Sequence, residues 1–493
     1  MIQDTTILDC YTDEPAGLGV PPFVGVWPRY VAGLSEREPT YLTIDDLRWI
    51  RYLEHRPDAV IDPPVGRTHI EALNHTRKAE EIRHILETTE RLVIIAGVQT
   101  PGKYLSARPG TLREVNKLLT SFAVRKVLTG PVLTAGTQVR GGVRPQLPQA
   151  EDYEELRPFV FDSYEELQPF ALRGATLIGQ MPNMPNRIAE IETGRGCPRE
   201  KGCSFCTEPL KHAVQWRKAQ HIAEEVRTLM DLGVRAFRLG KQSCIYSYEG
   251  GDPPKIEAML SALATLKPAV LHVDNANPAM VDERRTELFV RYLTPGSTAA
   301  MGIESFDPEV TRANNLNCPY EMAFEALRTI NRIGGVRGEN GCHALLPGIN
   351  ILLGLAEETP ETLDRNLAAL RRIVDEGLLV RRINIRQVVP FPGTALYEQA
   401  GQRYLRRNRR YYRAFIDEVR EEIDRPMLER LFPIGTVLKD LCSEVHNGGT
   451  TFLRQIGSYP ILVAVAERLP LGERFDARVT GYMRRSLTAE RVR

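Results

Sequence analysis

From its first residues the chain alternates short apolar runs with amphipathic ones. TTILDC gives way to a glycine- and proline-rich loop, DEPAGLGVPP, and then to FVGVWPRYVAGLSE, whose spacing predicts a helix. The strand PTYLTI, a helix around NHTRKAEEIRHILETT, the strand RLVIIAGV, the helix TLREVNKLLTSFA and the strand RKVLTGPVLTAG follow in turn. Short apolar strands separated by helices predict a parallel sheet covered on both faces, so residues 1–145 are expected to form a Rossmann-like domain. Ligands of such sheets sit at the carboxyl ends of the strands, which here carry DCYTDEPAGLG, AGVQTPGKYL and GPVLTAGTQVRGG.

The pattern weakens over residues 146–186 into a polar, proline-bearing connection. A second series then opens with IAEIET and continues through AFRLG, AVLHVDN, AAMGIES, INILLGL and RRINIRQVV, each strand followed by a helical stretch. Such regular strand–helix repeats predict a full or partial (β/α) barrel over 187–395, with function on the loops after the strands. Beyond PFPGT, the runs GQRYLRRNRRYYRAFIDEVREEID and MLERLFPIGTVLKDLCSEV predict a helical segment over 396–446. The turn-punctuated tail predicts a small β module over 447–493. The fold class is therefore α/β with a C-terminal addition.

Composition changes this picture little. The net charge is +1 with the histidines neutral, and apolar residues make up 42% of the chain, as in an ordinary globular protein. Affinity for nucleic acid would have to come from a local patch. The start MIQDTTILDCYTDEP lacks a basic region followed by an apolar run, and no window approaches the roughly 18 apolar residues of a spanning helix. A cytoplasmic protein without membrane partners is expected. Five of the eight cysteines (Cys10, Cys244, Cys318, Cys342, Cys442) are scattered one per element, which suits a reducing compartment.

The other three lie together in 193-TGRGCPREKGCSFCTEP-209. Cys197, Cys203 and Cys206, with glycines at 194, 196 and 202 that let the backbone fold tightly, form a ligand set for a metal or cluster. A structural zinc site normally closes with four ligands, and His212 is the nearby imidazole that could serve. Three thiolates alone leave a coordination position open, which suits an iron–sulfur cluster. Both readings follow from the residues.

A loop of three cysteines ending in C-S-F-C, after the first strand of a (β/α) barrel, resembles the radical S-adenosylmethionine (SAM) enzymes. The usual spacing there is C-x3-C-x2-C, whereas this chain has C-x5-C-x2-C. The resemblance implies that Cys197, Cys203 and Cys206 hold a [4Fe–4S] cluster whose open iron binds SAM, to be cleaved to methionine and a 5′-deoxyadenosyl radical. It implies that Phe205 lies near the adenine. AAMGIESFD resembles the fourth-strand segment, making Glu304 and Ser305 candidates for SAM contact. INILLGLAEET resembles the fifth-strand pattern G-x-I-x-G-x-x-x-E, placing Gly348, Ile351, Gly354 and Glu357 near the adenine and the strand end. Gly240, Lys241 and Gln242 stand where many members carry a glycine-glycine-glutamate motif for the SAM amine. Asp274, in the polar run after the third strand, faces the same end of the barrel or closes a turn. The resemblance covers residues 187 to 395.

The N-terminal sheet resembles two branches of that superfamily. One binds cobalamin; the other, the methylthiotransferases, carries three further cysteines there, and this chain has only Cys10 before residue 197. The cobalt-ligating signature D-x-H-x-x-G is absent, so cobalamin remains a cofactor that the resemblance allows without requiring. The whole chain resembles uncharacterised archaeal-type members near the cobalamin branch, with DCYTDEPAGLGVPP and QTPGKYLSARPGT as shared features. The tail GERFDARVTGYMRRSLTAE resembles the small β-barrel (TRAM) module that binds tRNA in methylthiotransferases. Eight arginines against four acids from residue 451 onward, with Tyr459 and Tyr482, suit a phosphate-binding surface, and so does RYLRRNRRYYR. The expected activity is SAM-dependent radical modification, such as methylation, of an unknown substrate, RNA or a small molecule, with electrons from a carrier such as flavodoxin or ferredoxin. The alternatives are methylthiotransferase-like RNA modification and a non-enzymatic zinc- and RNA-binding protein.

Overall fold

The computed structural model describes residues 5–12, 23–55, 73–97, 108–137, 141–181 and 186–492. The loop DEPAGLGVPP and most of QTPGKYLSARPGT fall outside these residues. The chain divides into two compact units, Met1–Glu190 with Ala223–Arg235, and Ile191–Ile222 with Ala236–Arg493.

In the first unit, β1 (Thr5–Asp9), β3 (Thr40–Thr43), β4 (Arg91–Ile95), β5 (Arg125–Thr129) and β6 (Glu155–Leu156) form a parallel sheet in the order β3-β1-β4-β5-β6. The apolar runs supply its core: Leu8, Leu42, Leu92, Ile94 and Leu128 pack with Ile82, Leu86, Leu112 and Val115 from the covering helices. A separate pairing joins β2 (Phe23–Val24) to β7 (Ile188–Glu192). The helix Ile44–His55 was not evident from the sequence; Asp45 and Asp46 in its first turn favour the dipole there. Residues 146–186, read as a connection, contain the helix Tyr164–Arg173. Ser163 caps it by accepting from the Glu166 amide, and its Tyr164, Leu167 and Ala171 pack on Val26 and Tyr30. Residues 223–235 join this unit through a fully buried ion pair, Arg29 to Glu225 at 2.9 Å, and the same guanidinium also donates to the carbonyls of Val24, Gly25 and Glu190.

The second unit continues with a ribbon, β8 (Gly194–Arg195) against β9 (Gln215–Trp216), and then parallel strands. β10 (Ala236–Gly240) pairs with β11 (Val270–Val273), while β12 (Asn275–Ala276), β13 (Ser297–Glu304), β14 (Leu345–Leu353) and β15 (Arg382–Gln387) form one parallel sheet in that order. With β7, the series β10, β11, β13, β14 and β15 supplies the strands of the expected repeats. The intervening helices Pro253–Thr265, Glu283–Tyr292, Tyr320–Gly334 and Pro360–Asp375 are the stretches that the pattern assigned to helix. Asp282 and a Thr359–Thr362 capping box start two of them.

After PFPGT the helix Arg403–Val419 buries Tyr404, Leu405, Asn408, Tyr412, Phe415 and Val419 along one side. The tail closes into a five-stranded barrel of β16 (Val437–Asn447), β17 (Thr450–Arg454), β18 (Leu462–Val465), β19 (Arg474–Tyr482) and β20 (Leu487–Arg491). Its first strand begins at Val437, inside the stretch expected to be helical to 446. The run VLKDLCSEV buries Leu438, Leu441 and Cys442, and bulges interrupt the strict alternation that would have marked it as strand. Among the described residues, no helix is long and apolar enough to cross a membrane.

Candidate functional site

The cysteine loop begins just beyond β7. Its two ends pair as β8 and β9, and the residues that turn it must be glycine. Gly196 has φ +79°, and a Cβ there would lie 2.6 Å from the Ala213 carbonyl oxygen; one on Gly194 would lie 2.4 Å from Trp216 Cε3. The Thr193 amide donates to the Gly240 carbonyl (3.3 Å) and Ser243 Oγ to the Gly196 carbonyl (3.0 Å), which fasten the loop beside the end of β10.

Within the loop the Cys206 amide donates to the Cys203 carbonyl at 3.1 Å. The Arg199 guanidinium donates to Cys203 Sγ at 3.1 Å and the Glu208 amide to Cys206 Sγ at 3.4 Å. Glu208 in turn accepts from the Gly196 amide (3.0 Å) and pairs with Lys211 (2.7 Å). Burial raises the Cys203 thiol, partly offset by Arg199, and pushes Cys206 up to about 11. Both thiols are therefore protonated in the metal-free protein, and ligation must release their protons.

One residue that the sequence reading missed organises the loop. Asn314 is fully buried, and its backbone carbonyl accepts from the Ser204 amide (2.9 Å). Its Oδ1 accepts from Ser204 Oγ (2.7 Å) and the Ala356 amide (3.1 Å), while Nδ2 donates to the carbonyls of Val310 (2.8 Å) and Ala356 (2.9 Å). A single amide thus ties the cysteine loop to the segments after β13 and β14. Next to it Asn315, at φ +50°, donates to the carbonyls of Lys201 (2.7 Å) and Gly202 (2.9 Å). The Leu396 amide closes the far side by donating to the Ser204 carbonyl at 2.8 Å.

Cys197, Cys203 and Cys206 are all half-buried on this one loop. Two of the sulfurs accept N–H bonds, as the sulfurs of protein-bound iron–sulfur clusters do. The donor set fits a cluster held by three thiolates, each on its own iron. Among the described residues no three of His, Cys, Asp and Glu converge as ligands of a single ion.

The other sequence-predicted residues divide into two groups. Phe205 is half-buried between two of the cysteines, and Gly240 ends β10. Lys241 turns the chain at φ +69° into Gln242, which is 1% exposed and has neither side-chain oxygen nor nitrogen hydrogen-bonded. Glu304 ends β13 at φ +64° with no hydrogen bond or ion pair among the described residues, and desolvation raises its carboxyl to about 8, against a small lowering by Arg386. The orphaned amide of Gln242 and the desolvated carboxyl of Glu304 both stand at strand ends, where a polar ligand would satisfy them.

Ser305, Gly354 and Glu357 belong to the framework instead. Ser305 Oγ bonds Asn366 Oδ1 (3.3 Å) and accepts from the Asp307 amide (3.1 Å), so it fastens the strand end rather than facing a cofactor. Gly354 has φ +90° and lies against Leu405. The spacing G-x-x-x-E counted from Gly354 reaches Glu358, not Glu357. Glu358 is 1% exposed and accepts from the Gly354 amide (2.7 Å), Asn408 Nδ2 (3.1 Å) and Tyr412 Oη (2.5 Å). Glu357 is exposed and accepts from Tyr404. Asp274 accepts from Tyr459 Oη at 3.0 Å and lies 3.6 Å from Arg238. Tyr459 arrives on the β17–β18 connection, whose Ser458 amide donates to buried His272 (3.1 Å), so this tyrosine is not on a phosphate-binding surface.

Glu304 yields a prediction for the metal-free protein. Its folded pKa lies above the roughly 4.5 of an unfolded glutamate, so the folded state holds the extra proton. Its stabilising effect is complete below about 4.5 and is lost as pH rises through about 8, by roughly 5 kcal/mol over that range. Glu304→Gln is expected to flatten this slope in denaturant unfolding measured across that window. An unchanged slope would remove Glu304 as its source.

The family model described as Radical SAM superfamily matches residues 191–365. An uncharacterized protein of Methanocaldococcus jannaschii is 38% identical over 541 residues, covering 100% of this chain and 94% of its own. One of Archaeoglobus fulgidus is 39% identical over 511 residues, covering 98% and 89%. Among solved structures, the radical S-adenosylmethionine methyltransferase TsrM from Kitasatospora setae, with cobalamin and a [4Fe-4S] cluster bound, aligns at 12% identity and TM-score 0.48 over 80% of this chain and 74% of its own.

Proposed function

The chain belongs to the radical SAM superfamily, and on that premise we propose that it binds SAM between the cysteine loop and the ends of β10 and β13 in order to modify its substrate by radical chemistry. The observation that carries the reading is the unsatisfied buried amide of Gln242, with the desolvated carboxyl of Glu304, in the same unit as Cys197, Cys203 and Cys206. Those three thiolates would hold a [4Fe–4S] cluster, which when bound supplies the electron that cleaves SAM. The Gln242 amide offers a donor and an acceptor to the methionine moiety, and the Glu304 carboxylate is the complement of a ligand that carries an ammonium and a sulfonium. Phe205 presents an aromatic surface to the adenine. Arg199 and the Glu208 amide, by donating to two of the sulfurs, stabilise their thiolate form.

Methylation is the net reaction we favour, with electrons from a one-electron carrier of the flavodoxin or ferredoxin kind, in the cytoplasm. Cobalamin is part of this reading as a cofactor of the N-terminal sheet, to be tested by titration with hydroxocobalamin.

Gln242 gives the test. A buried amide with no partner costs about 1–3 kcal/mol, so Gln242→Met, similar in size and apolar, is expected to stabilise the SAM-free protein by that amount. The same substitution is expected to weaken SAM binding and to reduce 5′-deoxyadenosine formation by at least tenfold. Unchanged SAM affinity in Gln242→Met would contradict the assignment.

A further inference from the structure

The helix Arg403–Val419 begins RYLRRNRRYYR. Its inward side is committed: Tyr404 bonds Glu357, Asn408 and Tyr412 bond Glu358, and Leu405 lies against Gly354. Its outward side carries Arg403, Arg406, Arg407, Arg409, Arg410 and Arg413, all exposed. Among the described residues, only Arg413 has a carboxylate within 4.0 Å, Asp417 at 3.7 Å, and Asp417 is also held by Arg484 at 2.6 Å.

Elsewhere in this unit, several helical arginines are matched with acids: Arg312 with Glu309, Arg328 with Glu376, Arg371 with Glu422, Arg372 with Glu321 and Glu376. The tail's arginines, which composition made equally attractive for phosphate, are spent in the same way. Arg454 pairs with Glu444, Arg474 with Asp440, Arg478 with Glu490, Arg485 with Asp424 and Arg491 with Glu467. The unpaired arginines also occupy the unfavourable end of a helix whose first turn holds no acid, and neighbours three and four apart repel one another. Folding gains nothing from this arrangement, whereas a polyanion would neutralise it.

We propose that this helix face binds the phosphodiester backbone of RNA. From Arg403 to Arg413 the face is about 15 Å long, enough for roughly three phosphates of one strand. Tyr411, half-exposed with the Arg410 guanidinium 4.7 Å from its ring centre, adds a stacking surface for the unpaired bases of RNA loops. An anionic membrane would call for apolar side chains beside the arginines, and those of this helix are buried inward. Because the inward side is bonded to the residues that follow β14, bound RNA would lie about one helix diameter from that strand's end. The inference concerns binding and stands whether or not the radical chemistry proposed above is correct.

The test uses the full chain, without cluster or SAM, and a fluorescein-labelled unmodified tRNA transcript followed by anisotropy. Binding is expected to weaken roughly tenfold between about 50 and about 200 mM salt. Arg406→Glu/Arg409→Glu/Arg410→Glu is expected to weaken it at least tenfold and to reduce the salt slope by about two to three. Arg328→Glu, a charge reversal at a paired site, is expected to leave it unchanged. The triple variant is also expected to melt no lower than the parent, since it removes like-charge contacts near the helix start; should it melt lower, the corresponding glutamine triple takes its place. RNA affinity that survives the neutralised helix, an absence of affinity at low salt, equal affinity for duplex DNA of the same length, or preference for phosphatidylglycerol vesicles would each overturn the proposal.

Discussion

Asn314→Ala is expected to destabilise the barrel by about 3–5 kcal/mol and to abolish iron retention by the cysteine loop. The substitution leaves Ser204 Oγ and the Ala356 amide without their acceptor and the Ala356 carbonyl without its donor, while the Val310 carbonyl keeps only the bond from the backbone amide of residue 314. Each buried group so orphaned costs about 1–3 kcal/mol, and a small cavity adds to the sum. Asn314→Asp is not expected to rescue it, because its second oxygen would face those two carbonyl oxygens. Ser204→Ala, which removes a single bond of the set, should cost only about 1 kcal/mol. Denaturant unfolding measures the stability, and iron per chain after anaerobic reconstitution measures the loop. A stable Asn314→Ala protein that retains a full complement of iron would show that the loop holds its shape without this residue.

Gly354→Ala is expected to cost about 2–4 kcal/mol and to loosen the helix Arg403–Val419 from the strand end. At φ +90° any Cβ is strained, and here it would fall 2.3 Å from Leu405 Cγ and Cδ2. Relief requires either Leu405 to leave its place or the backbone to rotate, and rotation would break the Gly354 amide bond to Glu358. Glu358 holds Asn408 and Tyr412 of the helix, so the damage should spread to it. Hydrogen exchange is expected to rise along residues 403–419 more than in the Pro253–Thr265 helix. Uniform protection would place the effect in the strand alone.

The sequence disclosed the parts of the site whose chemistry is local. Three thiols within ten positions, separated by residues that permit a tight turn, are legible because the ligand set and the loop's flexibility lie in one stretch. The parallel sheets were legible from the apolar runs, since strands buried on both faces leave a continuous signature. Gln242 and Glu304 were named from a resemblance, and the structure adds that, among the described residues, neither side chain has a hydrogen-bond partner. What the sequence hid depends on contacts between distant segments. Asn314, in RANNLN, looks like one polar residue among several at a helix end, and its role exists only once Ser204 and Ala356 are brought to it. Glu357 and Glu358 are adjacent carboxylates, and only the fold decides that the second is buried. The tail read as basic and aromatic, yet its arginines are mostly neutralised by acids remote in sequence and Tyr459 is buried against Asp274. The helix Arg403–Val419 read the same way, and there, among the described residues, all of the outward arginines but Arg413 lack a carboxylate partner, because the helix's own acids come only from residue 417 onward.

The central claim is that Cys197, Cys203 and Cys206 hold a cluster whose open iron takes SAM. The most direct measurement is electron paramagnetic resonance of the anaerobically reconstituted, dithionite-reduced chain, with and without SAM, beside the Cys203→Ala variant. The account predicts a [4Fe–4S]⁺ signal that shifts when SAM is added and is lost in the variant. A chain that takes up one zinc ion and gives no SAM-sensitive signal would contradict it.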